Sequence, residues 1–230
     1  MRKILVASTI LASVIFSQND GFVVTKYPSG AIHTEGNYNN GVRNGLWIIW
    51  YEGEVYQDFG ADGEPNTQDE GENNNKWDST ETVILDLDGD TFFDPPQKKE
   101  EGSYIEGNRD KTWIKWYQTG HKQEEGNFKE GKLHGSLMKW YENGNKSQEG
   151  LYETGKQEGD WIWYYQSGIK KEKTVFKDGQ QEGLWIQWFI DGTKKSERKF
   201  SNGERDSIWT SWYKNGNKKF QASYNNGKLN

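Results

Sequence analysis

Most of the chain follows one alternating pattern of apolar and polar segments. A short polar segment ending in an aromatic residue leads to a glycine turn, then to an aromatic segment, then to a second turn. The first aromatic or leucine residue of that aromatic segment stands at 113, 137, 161, 185 and 209, a constant step of 24. Turn glycines such as Gly120, Gly144 and Gly168 keep the same step. Because several residue types share one period, the pattern indicates a repeat protein.

The aromatic segment has the form Trp-x-x-Trp-Tyr, as in residues 47–51 and 113–117. Apolar residues do not recur at helical spacing, so these segments are predicted to be strands. Side chains alternate faces along a strand, so the two tryptophans point to opposite faces and the tyrosine shares the face of the first. Dipeptides such as Asn143-Gly144 and Asp178-Gly179 predict two-residue hairpin turns with positive φ.

Two strands per repeat predict an all-β protein. The expected architecture is an elongated single-layer antiparallel meander of stacked β-hairpin repeats with a 24-residue period. About 13 strands spaced about 4.8 Å apart would give a sheet roughly 60 Å long. Aromatic cross-strand pairs contribute roughly 0.2–1 kcal/mol each. We therefore expect ladders of aromatic rings to stabilise the sheet in place of an aliphatic core.

The best copy of the repeat runs from Trp140 through Gly144 and Gly155 to Trp161. It resembles the MORN repeat variant, the type found in YwqK-family antitoxins. The resemblance covers residues 27–51 and about 98–230. It implies stacked β-hairpins used as a binding or scaffolding surface, without a known active site. Individual copies drift, since Leu137 replaces tryptophan, and Lys111 and Ser207 replace glycine.

Composition narrows the class of protein. Aromatic residues make up 15% of the chain, whereas disordered chains are poor in them. The absence of cysteine excludes disulfides, thiolate metal sites and a cysteine nucleophile. His33, His121 and His134 lack metal-ligand spacing, and the net charge of −6 with interleaved Lys and Glu argues against nucleic acid binding. Because the sequence shows neither a cysteine nucleophile nor a histidine metal site, we predict that the protein is not an enzyme.

The N-terminus has the features of a secretory signal peptide. Arg2 and Lys3 precede an uncharged, mostly apolar run over residues 4–16, and a polar segment follows. This run is shorter than the roughly 20 residues that span a bilayer. We predict a signal peptide over residues 1–17, a secreted, periplasmic or cell-surface protein, and no membrane span in the mature chain. A buried first strand or an uncleaved anchor is the alternative.

An acidic segment interrupts the repeats. The sequence numbers of Tyr51 and Glu101 differ by 50, whereas those of the matching Tyr141 and Glu149 differ by 8. The excess of 42 is an insertion at a turn. After the signal peptide we expect a first repeat (18–51), the acidic insert (52–97) and five further hairpin repeats (98–230). The insert contains 14 acidic residues and one lysine, a net charge of −13, whereas the repeats carry +5.

The insert has the spacing of a calcium-binding loop. Residues 58–69 place acids at loop positions 1, 5 and 12 and glycine at position 6, as in EF-hand loops, although position 3 is Gly60. Ca²⁺ takes six to eight oxygen ligands and would neutralise this charge. A solvated, disordered acidic loop is the alternative. The predicted calcium ligands are Asp58, Asp62, Asn66, Asp69, Asp78, Glu81, Asp86, Asp88 and Asp90.

These features predict an exported, non-catalytic binding or scaffolding module at the cell envelope, with a protein or an envelope glycan as its partner. One alternative is a glycan-binding module, because a single layer cannot cover the aromatics of both its faces. A second alternative, an antitoxin-like partner of a toxin, is implied by the family resemblance alone.

Overall fold

The structure is a computed structural model that describes residues 20–52, 55–57, 82–85 and 97–230. All regular elements in these residues are β-strands. The strands are β1 Gly21–Lys26, β2 Ile32–Asn39, β3 Val42–Trp50, β4 Val55–Gln57, β5 Thr82–Leu85, β6 Lys98–Ile105, β7 Asn108–Trp116, β8 Lys122–Lys129, β9 Lys132–Trp140, β10 Lys146–Glu153, β11 Lys156–Tyr164, β12 Lys170–Lys177, β13 Gln180–Trp188, β14 Lys194–Ser201, β15 Glu204–Trp212, β16 Lys218–Asn225 and β17 Lys228–Leu229.

Fifteen of these strands form one antiparallel meander, which confirms the predicted fold class. Strands β1–β3 and β6–β17 pair in chain order, and β4 and β5 form a separate two-stranded sheet. The long strands β7, β9, β11, β13 and β15 begin one repeat period apart. The short strands between and beside them also begin one period apart; they are β6, β8, β10, β12, β14 and β16. The 13 strands expected from the repeats are β2, β3 and β6–β16, and the sheet is extended at its two edges by β1 and β17.

One end of each hairpin has the predicted two-residue turn. Between β10 and β11, Thr154 and Gly155 both have positive φ, 50° and 82°. Asp178-Gly179, Asn202-Gly203 and Asn226-Gly227 have the same geometry. This backbone matches the right-handed twist of the flanking strands.

The other end of each hairpin has a three-residue loop, so the prediction of a two-residue turn at Asn143-Gly144 is wrong. Only Gly144 has a positive φ there, 84°. The Gly144 N–H donates to the Tyr141 carbonyl (2.9 Å), and the Tyr141 N–H donates to the Asn145 carbonyl (2.8 Å). The Asn143 side chain accepts the Asn145 N–H (3.1 Å), so it stabilises the loop ahead of the left-handed glycine. Asp191-Gly192 and Asn215-Gly216 carry the same dipeptide signal and also lie in three-residue loops, so the two-residue turn that this signal predicts is wrong there too.

Each long strand contains a bulge. Between β6 and β7 the register moves from Glu101 opposite Ile114 to Ser103 opposite Asp110, so β7 has two additional residues. Lys111 lies in this bulge with φ 63°, and Gly159 and Gly183 have φ 65° and 69° at the matching positions. The strand β11 begins at Lys156, five residues before Trp161, the first residue of its predicted aromatic segment, so the long strand extends beyond that segment.

We expect Lys111→Gly to raise the free energy of unfolding by about 0.5–1 kcal/mol. Left-handed backbone costs an L-residue roughly 1–2 kcal/mol, which exceeds the entropic cost of glycine. Urea unfolding of the purified chain measures the change. As the matched control, Gly183→Ala should lower the same free energy, because it introduces a side chain at a positive φ. A loss of stability in Lys111→Gly would contradict this account of the bulge.

On one face of the sheet, glycine and tryptophan alternate from strand to strand. We call it the glycine–tryptophan face. Its central row is Gly36, Trp47, Gly102, Trp113, Gly126, Leu137, Gly150, Trp161, Thr174, Trp185, Arg198, Trp209 and Ala222.

The core of the protein lies on this face, within a single layer. Trp161 is 0% exposed because its indole ring lies flat on the backbone of Gly150, where a Cβ atom would be 2.3 Å from the ring. Its Nε1 donates to the Leu151 carbonyl (3.1 Å). Tyr152 and Phe176 meet the ring edge-to-face, with centroids 5.1 and 6.2 Å away. The rings of this face therefore meet mainly edge-to-face, a geometry that aromatic quadrupoles prefer, while Trp161–Trp163 and Trp209–Tyr224 are tilted by 33° and 43°.

Tyrosines join successive hairpins at the end with the three-residue loops. The Tyr117 hydroxyl donates to the Trp140 carbonyl (2.9 Å), 23 residues further along the chain. The Tyr51 hydroxyl makes the same bond to the Trp116 carbonyl, 65 residues away. The larger separation is accounted for by the insertion alone, and β3 pairs directly with β6. The repeat geometry therefore continues across the insertion.

Candidate functional site

The face opposite the glycine–tryptophan face carries a row in which aliphatic and charged residues alternate. We call it the isoleucine–glutamate face. Its members adjoin the glycine–tryptophan row along each strand, so their side chains point the other way. The row is Glu35, Ile48, Glu101, Ile114, Glu125, Met138, Glu149, Ile162, Lys173, Ile186, Glu197, Thr210 and Gln221.

Exposed aliphatic side chains lie beside this row. Leu46, Leu151, Leu184 and Ile208 occupy the same face by strand alternation and are 54%, 49%, 44% and 57% exposed. In contrast, the tryptophans of the other face are largely covered, Trp113 being only 3% exposed. The exposed large apolar side chains of the isoleucine–glutamate face are therefore mainly aliphatic, and the second tryptophans of the motif, such as Trp116 and Trp140, lie on the same face half-buried.

Lysine–glutamate pairs accompany the row at regular intervals. Lys98 pairs with Glu101 and Lys122 with Glu125, at 2.6 and 2.7 Å. The Lys122 ammonium also lies 5.9 Å from the ring centroid of Trp140, the second tryptophan of its motif. Exposed pairs of this kind contribute little to stability. Their main consequence is that the charges next to the aliphatic side chains are already neutralised.

A hydrogen-bonded group of three side chains lies in the middle of this face. The Tyr164 hydroxyl donates to the Glu149 carboxylate, which also accepts a hydrogen bond from Lys146. Burial raises the pKa of Tyr164 to about 12, and the bond to Glu149 acts in the same direction. Burial also raises the pKa of Glu149, but the hydrogen bonds from Lys146 and Tyr164 outweigh it, so this pKa lies below its usual value.

We expect the stability difference between the native chain and Tyr164→Phe to depend on pH. The raised Tyr164 pKa stabilises the fold fully below pH 10 and loses this effect as the pH rises through about 12. The lowered Glu149 pKa stabilises above about pH 4.5 and loses its effect in more acidic solution. The difference should therefore be largest between about pH 5 and 10. Urea unfolding at acid, neutral and alkaline pH tests this, and a constant difference would refute it.

A shallow depression of about 360 Å³ lies on the sheet between Tyr117 and Tyr141. Glu124 and Lys139, which line it, pair with each other at 2.9 Å. Because these two side chains already pair with each other, they do not favour a ligand site in the depression.

The predicted calcium ligands, from Asp58 to Asp90, all lie outside the described residues, as does the predicted signal peptide over residues 1–17. Within the described part of the chain, no three His, Asp or Glu side chains come together in an arrangement that could hold a metal ion. The same residues include no helix long and apolar enough to cross a membrane.

The hairpins match a known repeat. Four segments of the chain match the MORN repeat variant. They are residues 109–130, 133–154, 157–178 and 205–226. Each MORN segment contains most of one long strand, a three-residue loop, the next short strand and the first residue of a two-residue turn. No curated protein matches the chain.

The first MORN segment contains a contact that sequence reasoning missed. The Arg109 guanidinium lies 4.1 Å from the Trp113 ring centroid and pairs with Glu100 at 2.9 Å. Stacking of this kind contributes about 0.5–2 kcal/mol, depending on desolvation. The available signal was an arginine four residues before the tryptophan, which recurs at Arg43 and Arg205.

Proposed function

We propose that this protein is an exported, non-catalytic repeat protein whose isoleucine–glutamate face binds a protein partner at the cell envelope. The observation that supports this face is its open aliphatic surface, formed by Leu151, Leu184 and Ile208 across strands β10–β15. Polar residues such as Lys199, opposite Leu184, separate these side chains, so they form a row of individual apolar contact points. Exposed apolar groups that recur on one face favour an interaction surface there. The MORN segments support the binding role, since this repeat typically serves protein binding.

The character of the face favours a partner with apolar side chains. Neighbouring charges are paired within the chain, as in Lys146–Glu149 at 2.6 Å, so a partner would gain mainly by covering the aliphatic groups. The glycan alternative has less support, because sugar binding requires open aromatic rings. In the described residues, no tryptophan is among the exposed side chains, and the exposed aromatic rings, Phe22, Tyr213 and Phe220, lie towards the two ends of the sheet and form no continuous aromatic surface along it.

A paired set of variants tests the face. Leu151→Glu and Leu184→Glu place charges on exposed positions and should leave the fold intact. We expect each to weaken a saturable complex with an envelope protein by about tenfold or more, since a charge in an apolar contact is costly. The matched control is Ile190→Glu, because Ile190 is 57% exposed but lies in a loop. Equal binding by all three variants, measured by calorimetry with the captured partner, would reject the assignment of this face.

Two parts of the proposal have separate tests. Export predicts that the mature chain begins near residue 18, which N-terminal sequencing of the protein from cell fractions determines. Calcium binding by the acidic insert predicts heat on titration of Ca²⁺ into EDTA-treated protein, together with protection of residues 58–90 from protease. A titration without heat and without protection would reject calcium.

Neighbouring genes test the antitoxin-like alternative, because it requires a co-encoded toxin.

A further inference from the structure

Two arginines share one tryptophan on the glycine–tryptophan face. The Arg198 guanidinium carbon lies 3.8 Å from the Trp209 ring centroid and 4.0 Å from that of Trp185. The Arg205 guanidinium carbon lies 4.4 Å from the Trp209 centroid. Arg198 stands in the row position that Gly102 and Gly150 occupy in other hairpins, so a cation replaces the bare backbone beneath the ring.

The β6–β7 hairpin is an internal reference for this site. There, Arg109 on the long strand pairs with Glu100 on the short strand at 2.9 Å. The residues at the matching positions of the β14–β15 hairpin are Arg205 and Ser196. Ser196 is buried and neutral. Compared with the reference, the β14–β15 site has therefore lost one negative charge and gained one positive charge.

Neither arginine has a carboxylate partner in the described residues. No Asp or Glu oxygen of the described chain lies within 4.0 Å of Arg198 or Arg205 in an ion pair, and the buried Nε of Arg198 has no acceptor there. Glu172 interacts electrostatically with Arg198 without forming an ion pair, and its oxygens accept hydrogen bonds from Trp185 (2.6 Å) and Gln187 (3.0 Å), so one negative charge lies near two positive ones. Burial, with the nearby charge of Arg205, lowers the pKa of Arg198 to about 10.

The surroundings are also basic, and the site is open to solvent on the Arg205 side, whereas Arg198 is half-buried. Residues 194–230 contain nine Lys or Arg and three Asp or Glu, whereas residues 98–193 contain 15 and 16. The excess positive charge of the repeats is therefore concentrated at this end of the sheet. Arg205 is exposed, so an external group can reach its guanidinium.

We propose that Arg198 and Arg205 bind a carboxylate side chain from an acidic peptide segment of a partner protein. The bound carboxylate would lie next to Arg205, in the position equivalent to that of the Glu100 carboxylate next to Arg109. An arginine fork matches a carboxylate through two parallel hydrogen bonds. This ligand would relieve the repulsion between the two guanidinium groups. The site lies on the glycine–tryptophan face, so it is independent of the aliphatic surface proposed above.

The test uses the full mature chain and a synthetic Glu-Gly octapeptide, with inorganic phosphate and an oligogalacturonate as alternative probes. We expect the peptide to bind, to change tryptophan fluorescence through Trp209, and to weaken at high salt. Ser196→Glu should weaken peptide binding about tenfold or more, because the introduced carboxylate takes the place of the ligand. Arg198→Gly, which restores the repeat residue, should weaken it similarly.

Arg109→Gln is the matched control and should leave peptide binding unchanged, because Arg109 already has Glu100 as a partner. Near-ultraviolet circular dichroism checks that each variant is folded. If Ser196→Glu does not fold, the binding measurement on Arg198→Gly alone tests the site. Absence of peptide binding, or undiminished binding by Arg198→Gly, would overturn the site. Tighter binding of phosphate or oligogalacturonate than of the peptide would overturn the assignment to an acidic peptide. Unchanged peptide binding by Leu151→Glu would confirm that the two surfaces are separate.

Discussion

Trp161→Ala is expected to lower the free energy of unfolding by about 3–5 kcal/mol. Its ring is fully buried, lies on the Gly150 backbone and contacts Tyr152 and Phe176. In a single-layer sheet no second layer can move in to fill the space, so the loss of contacts should be nearly complete. Urea unfolding followed by circular dichroism measures the effect.

Trp161→Leu is the matched control for this prediction. Leu137 occupies the equivalent place two strands away and is only 3% exposed, so the architecture accepts leucine there. We expect Trp161→Leu to cost clearly less than Trp161→Ala. If Trp161→Ala unfolds within about 1 kcal/mol of the native chain, well below the usual cost of such a truncation, the ring does not form the core.

The second large effect is expected at the glycine beneath the ring. Gly150→Ala would place a Cβ atom 2.3 Å from Trp161, so the indole must lift and lose its hydrogen bond to the Leu151 carbonyl. We expect a loss of about 1–3 kcal/mol, as for other overpacked cores. The same unfolding experiment measures it.

Gly126→Ala is the control, because it changes the same repeat position beneath a leucine. Its nearest neighbours would be the flexible ends of Leu133 and Leu137, both at 3.1 Å, which can shift by a few tenths of an ångström. This variant should therefore cost less than Gly150→Ala. Equal losses in the two variants would show that the ring contact is not the cause.

The chain itself contains a variant of this arrangement. At the next position of the glycine row stands Thr174, which is buried. Trp185 accordingly donates its Nε1 to the Glu172 carboxylate (2.6 Å), whereas Trp161 donates to a backbone carbonyl. The tryptophan beside this β-branched residue therefore has a different hydrogen-bond partner while the sheet stays continuous, so the repeats tolerate substitution at this position.

Sequence reasoning predicted the turns only in part. It recognised Asn143-Gly144 and Asp178-Gly179 as the same signal, but the first belongs to a three-residue loop and the second to a two-residue turn. Both dipeptides tolerate positive φ, so local chemistry cannot separate them. The difference arises from the hydrogen bonds across the hairpin, which depend on where the partner strand ends. The positive φ of Lys111 was hidden for the same reason, since lysine does not signal a bulge.

The candidate surfaces were predicted less well than the fold. The spacing of Trp113, Trp161 and their neighbours indicated strands, hairpins and rows of rings, but not which rings are covered. Coverage depends on the residue on the neighbouring strand: glycine allows the indoles of Trp113 and Trp161 to lie on the backbone, whereas Trp185 is covered beside Thr174.

The repeat period was sufficient to establish an antiparallel meander, because strand length, turn position and side-chain alternation are local properties. The pairing of Arg198 with Arg205 over Trp209 and the exposure of Leu151 follow from neighbours on adjacent strands, which the register of the sheet brings together. Register is a property of the folded sheet, so these contacts became visible only in three dimensions.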